Sequence, residues 1–175
     1  MIRHALVALF ALGLAAGSAA AQTAPPTPLS DPLLDRLAGT WVLRGTLQGK
    51  QTTHVVASEW VLGHQYVRIL ERSRETDAKG QPQYDAVVLI GWDAKAKEYQ
   101  CLWLDNTAGG GLTPQSLGRG TRDGDAIRFS WKEPDGTVSF TNTFAYDKAA
   151  NAWTWALDNI VKGKPVPFGR VTLTR

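Results

Sequence analysis

The sequence predicts an all-β chain that closes into an antiparallel up-and-down barrel of eight to ten strands, with a short N-terminal helix. Three observations carry this prediction. Beyond Gly39 no stretch keeps a helical period, whereas short runs rich in Val, Ile, Thr and aromatic residues recur along the chain. These runs fall at 40–47, 53–62, 65–73, 84–92, 98–105, 116–121, 125–132, 137–146, 152–160 and 166–174. Most connections between them are hairpin-sized, and a meander that long curls until its two edges meet.

The elements follow in order. Residues 1–21, MIRHALVALFALGLAAGSAAA, have a basic start, an apolar run and small residues at their end, the pattern of a signal peptide cleaved before Gln22. The apolar run is shorter than the ~20 residues that span a bilayer, so a soluble periplasmic or secreted protein without membrane insertion is expected. Residues 22–30, QTAPPTPLS, read as a flexible leader, and 31–175 as a single barrel domain. Ser30 or Asp31 caps a short helix over 32–37, with Pro32 in its first turn. Gly39-Thr40-Trp41 then heads the first strand.

Charge and cysteine content exclude several classes. The chain has 19 basic and 16 acidic residues, scattered rather than clustered, so no nucleic-acid footprint is present. Cys101 is the only cysteine, and no intramolecular disulfide can form. It reads as a small buried apolar residue.

Counting strands upward from 40–47 gathers the turns at 63–64, 93–97, 123–124 and 147–151 at one end, together with the helix. The longer loops 74–83, 106–115 and 161–165 collect at the other end. The expected barrel is therefore plugged below and open above. Period-two alternation sets the facing. Ile127, Phe129 and Trp131 point in; so do Val138, Phe140, Asn142, Phe144 and Tyr146, and Trp153, Trp155, Leu157 and Asn159. Strand 98–105 is apolar on both faces, with Tyr99, Cys101, Trp103 and Asp105 on one and Leu102 and Leu104 on the other, and alternation does not choose between them. Two hairpins echo each other, GWDAKAKEYQCLWLDN (91–106) and AYDKAANAWTWALDN (145–159). Each starts its turn with an aspartate, Asp93 or Asp147, whose carboxylate can accept backbone N–H groups two residues on.

The segments LxxLAGTW (34–41), EWVLGHQYVR (59–68), LIGWDAKAKEYQCLWLDN (89–106) and GRVTLTR (169–175) resemble a calycin barrel. Gly39-Thr40-Trp41 is similar to the Gly-x-Trp signature of lipocalins. The mature chain as a whole resembles an uncharacterised bacterial lipocalin-like domain family of unknown function. The resemblance implies a barrel whose base is closed by Trp41 under an arginine, and strand parity selects Arg175 over Arg170 for that place, as a cation–π lid. It also sets limits. Fatty-acid-binding relatives carry two helices after the first strand, where this chain has only 48–52, and nitrobindin-like haem barrels use a late histidine, whereas none follows His64 here.

Chemistry is sparse. His54 and His64 stand at opposite ends of one strand and cannot share a metal, so neither a metal nor any other cofactor is expected. Gly109-Gly110-Gly111 precede no helix, which gives no phosphate loop and suits a portal segment. The reading is a barrel that binds a small, largely apolar or aromatic molecule in a lumen walled by Trp103, Phe129, Trp131, Phe140 and Trp155, with Asn142 orienting it. One alternative is an enzyme using His54, Asp105 and Asn159 at the rim. Another is a structural or interaction protein whose lumen is filled by side chains.

Overall fold

The computed structural model describes residues 27–107 and 112–175. The signal-peptide expectation, most of the leader and the triple-glycine segment lie outside the described residues. Within them the chain is all-β: one short α-helix, α1 (Pro32–Leu37), a single 3-10 turn at Pro114–Ser116, and ten strands. The strands are β1 (Gly39–Leu47), β2 (Lys50–Val61), β3 (Tyr66–Ser73), β4 (Asp85–Asp93) and β5 (Glu98–Asp105), then β6 (Leu117–Asp123), β7 (Ala126–Lys132), β8 (Val138–Asp147), β9 (Ala152–Val161) and β10 (Lys164–Thr174). Each pairs antiparallel with its sequence neighbours, and β1 pairs with β10, which closes the barrel. The meander is thus a calycin-like closed barrel with no free edge.

Turn chemistry explains most strand ends. Asp93 Oδ1 accepts the N–H groups of Lys95 and Ala96, each at 2.9 Å. Asp147 Oδ1 does the same for Ala149 and Ala150, at 2.8 and 3.1 Å. Two connections are tighter than expected. The segment 161–165 is not a long loop: β9 and β10 meet through Lys162-Gly163, both at positive φ. Gln48-Gly49 joins β1 and β2 in the same way. Such paired left-handed residues match the twist of a hairpin and extend its ladder, so β2 starts at Lys50 and β10 at Lys164. Among the described residues the longest connection at the upper end is 74–84, between β3 and β4.

The stagger of the barrel can be followed through the paired residues. One row runs Trp41, Val56, Glu71, Ala86, Asp105. Another runs the opposite way round, Leu47, Gly169, Leu157, Asn142, Phe129, Gly120, Tyr99. The two rows stand six residues apart on β1 and again six apart on β5, in the opposite sense, so a full circuit shifts the register by twelve. Half a circuit shifts it by six, which sets Glu71 on β3 and Asn142 on β8 at one height on opposite walls.

The lower lumen is a packed core. Asp31 caps α1, accepting the N–H groups of Leu33 and Leu34 at 2.9 and 3.2 Å. Its other oxygen accepts the Tyr99 hydroxyl at 2.5 Å, while Arg122 Nη1 reaches the capping oxygen at 3.2 Å. Leu33, Leu34 and Leu37 are buried, and the helix end is tied to the barrel by Trp41 Nε1, which donates to Leu37 O at 2.8 Å, and by the Ser58 hydroxyl on the same oxygen. The Arg175 guanidinium lies 4.4 Å from the Trp41 ring centre and donates to Ala38 O at 3.0 Å. A side chain on Gly39, at φ +125, would press on that guanidinium at 3.2 Å. The base is therefore closed by a helix, a tryptophan and an arginine held together by carbonyl groups that α1 leaves unpaired.

Candidate ligand site in the barrel lumen

Above the base the inward faces carry rings. Phe144 and Trp155 stack at 4.4 Å between centroids, and Phe129 meets Phe144 edge-on at 5.4 Å. Trp103 stands edge-on to both Phe144 and Trp155, at 6.5 and 6.1 Å. On β5 it is therefore the Tyr99, Cys101, Trp103, Asp105 face that points in. Higher up, Trp131 meets Phe140 at 5.8 Å, and Phe140 meets Phe168 at 5.6 Å. Edge-to-face contacts of this kind let large rings fill a tapering lumen. Phe129, Phe144 and Trp155 are fully buried, while Trp103, Phe140 and Phe168 are only partly covered. The aromatic wall thus runs from the sealed core up to partly covered rings.

Strand β6 makes room for this wall with glycines. A Cβ on Gly118 would stand 2.6 Å from the Trp131 ring, and one on Gly120 would stand 2.6 Å from Phe129. The wall is also weakest here. β5 and β6 share only the four pairs from Tyr99↔Gly120 to Leu102↔Leu117, whereas β4 and β5 share eight. The β5–β6 ladder ends at Leu102↔Leu117, next to Trp103.

Polar groups gather near this stretch. His54 is buried in the lumen rather than at the rim, because its ring turns to a carboxylate one strand away: Nδ1–H donates to Glu71 Oε1 at 2.5 Å. Its Nε2 lies 2.7 Å from Thr52 Oγ1, which in turn donates to Glu75 Oε2 at 3.1 Å. Burial works against a charge on Glu75, but the N–H groups of Glu75 and Thr53, the Thr52 hydroxyl and nearby His54 together hold its carboxyl below the ordinary value. The Tyr84 ring stacks on His54 at 5.3 Å, and its hydroxyl accepts Trp103 Nε1–H at 2.8 Å. Burial first, then the charges of Glu71 and Asp105, push the Tyr84 phenol well above its usual range. A continuous path of contacts so links His54 and Glu71 to the aromatic wall.

Four polar atoms in this region have no hydrogen-bond partner in the protein: Glu71 Oε2, both amide atoms of Asn142, and Trp155 Nε1. Glu71 is 3 % exposed, and Asn142 and Trp155 are each 1 % exposed. An orphaned buried polar group costs roughly 1–3 kcal/mol, and these four stand near one level of the barrel interior.

The residues predicted from sequence divide accordingly. Trp103, Phe129, Trp131, Phe140, Asn142 and Trp155 line the lumen, as does His54. Asp105 stands at its upper edge, where Thr107 donates to it, and Asn159 is exposed. Gly39, Trp41 and Arg175 form the base. Cys101 is fully buried, which pushes its thiol up and keeps it protonated. Among the described residues no three His, Cys, Asp or Glu side chains are placed to hold a metal. Sequence reasoning missed Glu71 and Tyr84. For Glu71 a signal existed, a carboxylate in register with Val67 and Ile69, whereas Tyr84 sits at the loop end of β4 and had none.

A separate groove of about 810 Å³ lies outside the barrel, over Val55, Leu70, Val87 and Leu104 on the outer faces of β2 to β5. No known family model matches the chain, and no curated protein does.

Proposed function

We propose that the protein is an exported, soluble barrel of the lipocalin-like kind that binds one small, largely apolar or aromatic molecule in its upper lumen. The observation that carries this reading is the set of unpartnered buried polar atoms on Glu71, Asn142 and Trp155 within an aromatic wall. Apolar burial at about 25 cal/mol per Å² supplies the affinity, and the few polar groups select orientation. Entry is beside Trp103, where β5 and β6 separate. Native mass spectrometry of the purified protein is expected to show a bound small molecule. Titration of intrinsic tryptophan fluorescence with aromatic ligands is expected to saturate, and to stop saturating in folded Trp131→Ala or Asn142→Leu protein. A flat response across such a panel, with no co-purifying mass, overturns the reading in favour of a filled structural barrel.

The His54–Glu71 pair favours a second reading, acid–base chemistry on the bound molecule. Turnover of a ligand that disappears in His54→Gln while binding persists would select it.

A further inference from the structure

We infer that the outer face of β2–β5 docks on the same face of a second copy of this chain, giving a two-fold dimer of barrels. The outward residues of these strands stand in register rows. Ala57, Leu70, Val87 and Leu104 form one apolar row across all four strands. The row above holds Val55, Arg72 and Asp85, and beyond β5 it continues to Asn106, whose N–H donates to Asp85 O at 3.0 Å. Together the two rows line the external groove of about 810 Å³. Leu70 and Val87 are each 41 % exposed and Val55 is 37 % exposed, so three aliphatic side chains share one patch of water-facing wall. Contiguous apolar surface of this kind marks an interaction site, and its burial is favourable at about 25 cal/mol per Å².

Charge and size select the occupant. A two-fold axis running along the strands, between β3 and β4, lays each row on its own reverse: β3 faces β4 of the second copy, and β2 faces β5. Leu70 then meets Val87, and Ala57, the smallest member of the apolar row, meets Leu104. One row up, Arg72 meets Asp85 of the second copy. These two side chains already pair within the chain at 2.8 Å, so the dimer joins two exposed pairs into a ring of four alternating charges. An axis along the apolar row would instead set Arg72 against Arg68, and a partner of one charge sign would repel either Arg72 or Asp85. Stacked sheets keep their strand directions within about 30°, which the axis between β3 and β4 provides. The contact leaves the lumen and the base untouched, and it stands or falls apart from the binding reading.

Sedimentation equilibrium of residues 22–175, from low micromolar to several hundred micromolar protein, tests this. Two rows on four strands make a small interface, below about 1,200 Å² in total, of the size class that associates weakly. The wild-type protein is therefore expected to pass from monomer to dimer within that range. Val87→Lys, and separately Leu70→Glu, are expected to weaken the dimer at least about ten-fold, while Thr172→Lys on the outward side of β10 leaves it unchanged. Arg72→Asp is expected to weaken it as well, and Arg72→Asp combined with Asp85→Arg to restore it. All five positions are water-facing, and far-UV circular dichroism checks that each variant is folded. A wild-type protein that stays monomeric throughout overturns the inference, and it does so equally if that monomer sediments with phospholipid vesicles. A dimer that persists undiminished in folded Val87→Lys and Leu70→Glu uses another face and overturns it too. A double charge exchange that fails to restore what Arg72→Asp removes rejects the two-fold between β3 and β4.

Discussion

Asn142 carries two hydrogen-bonding groups into a wall of rings, and neither finds a protein partner. A side chain of that kind is held against stability. Asn142→Leu, close in size and apolar, is therefore expected to raise the unfolding free energy by roughly 1–3 kcal/mol while abolishing ligand binding. Urea unfolding of the free protein reads the first effect, and a destabilised variant would mean that the amide is satisfied after all. Tyr99 shows the opposite economy. Burial, and then its hydrogen bond to Asp31, raise its hydroxyl from 10.0 to about 12 in the folded protein. A folded value above the unfolded one stabilises fully below pH 10 and is lost as the pH rises towards about 12. Tyr99→Phe should accordingly lose less stability than the wild type across that alkaline window in parallel urea titrations. Residue by residue, what was legible was what alternation governs. Trp155, Phe129 and Asn142 were placed by parity alone. The His54–Glu71 contact joins two strands, and no spacing within one strand reports which neighbour a side chain turns to.

Strand β6 is the element on which the lumen depends most, although it has the fewest inward side chains. Its glycines at 118 and 120 let the Trp131 and Phe129 rings lie against backbone. Gly118→Ala or Gly120→Ala is expected to cost about 1–3 kcal/mol through overpacking, whereas the outward Thr121→Ala on the same strand should stay within about 0.5 kcal/mol. Equal effects at all three positions would show that the rings yield freely. Most strand ends were legible because aspartate-initiated turns announce themselves. The start of β10 was not, because Pro165 and Pro167 resemble loop residues. In the structure a bulge between Pro167 and Gly169 absorbs the register change that such residues impose.

The two ends of the barrel are built differently. Below, α1, Trp41, Trp153 and Arg175 leave the interior sealed. Above, the β5–β6 ladder stops at Leu102↔Leu117 while β4–β5 pairing continues to Asp105. Amide hydrogen exchange is expected to be slow for residues 99–101 and fast for 103–105, since only the former lie within both flanking ladders. Uniform protection along β5 would contradict an opening there. At this scale the closed meander was readable from strand count and turn length, while the side on which it opens was not. That depends on where two neighbouring strands stop pairing, a property of the assembled cylinder.

The β1–β10 ladder has a consequence for the life of the chain before it folds. The seam that makes the sheet edgeless joins its earliest strand to its latest. During synthesis at ~5–20 residues per second, every intermediate length is a sheet with two raw borders. Nothing cyclic exists until Val171 and Leu173 can reach Gly45 and Leu43. Closure of the ring therefore waits on the last strand, and until then both borders of the sheet are open to mispairing.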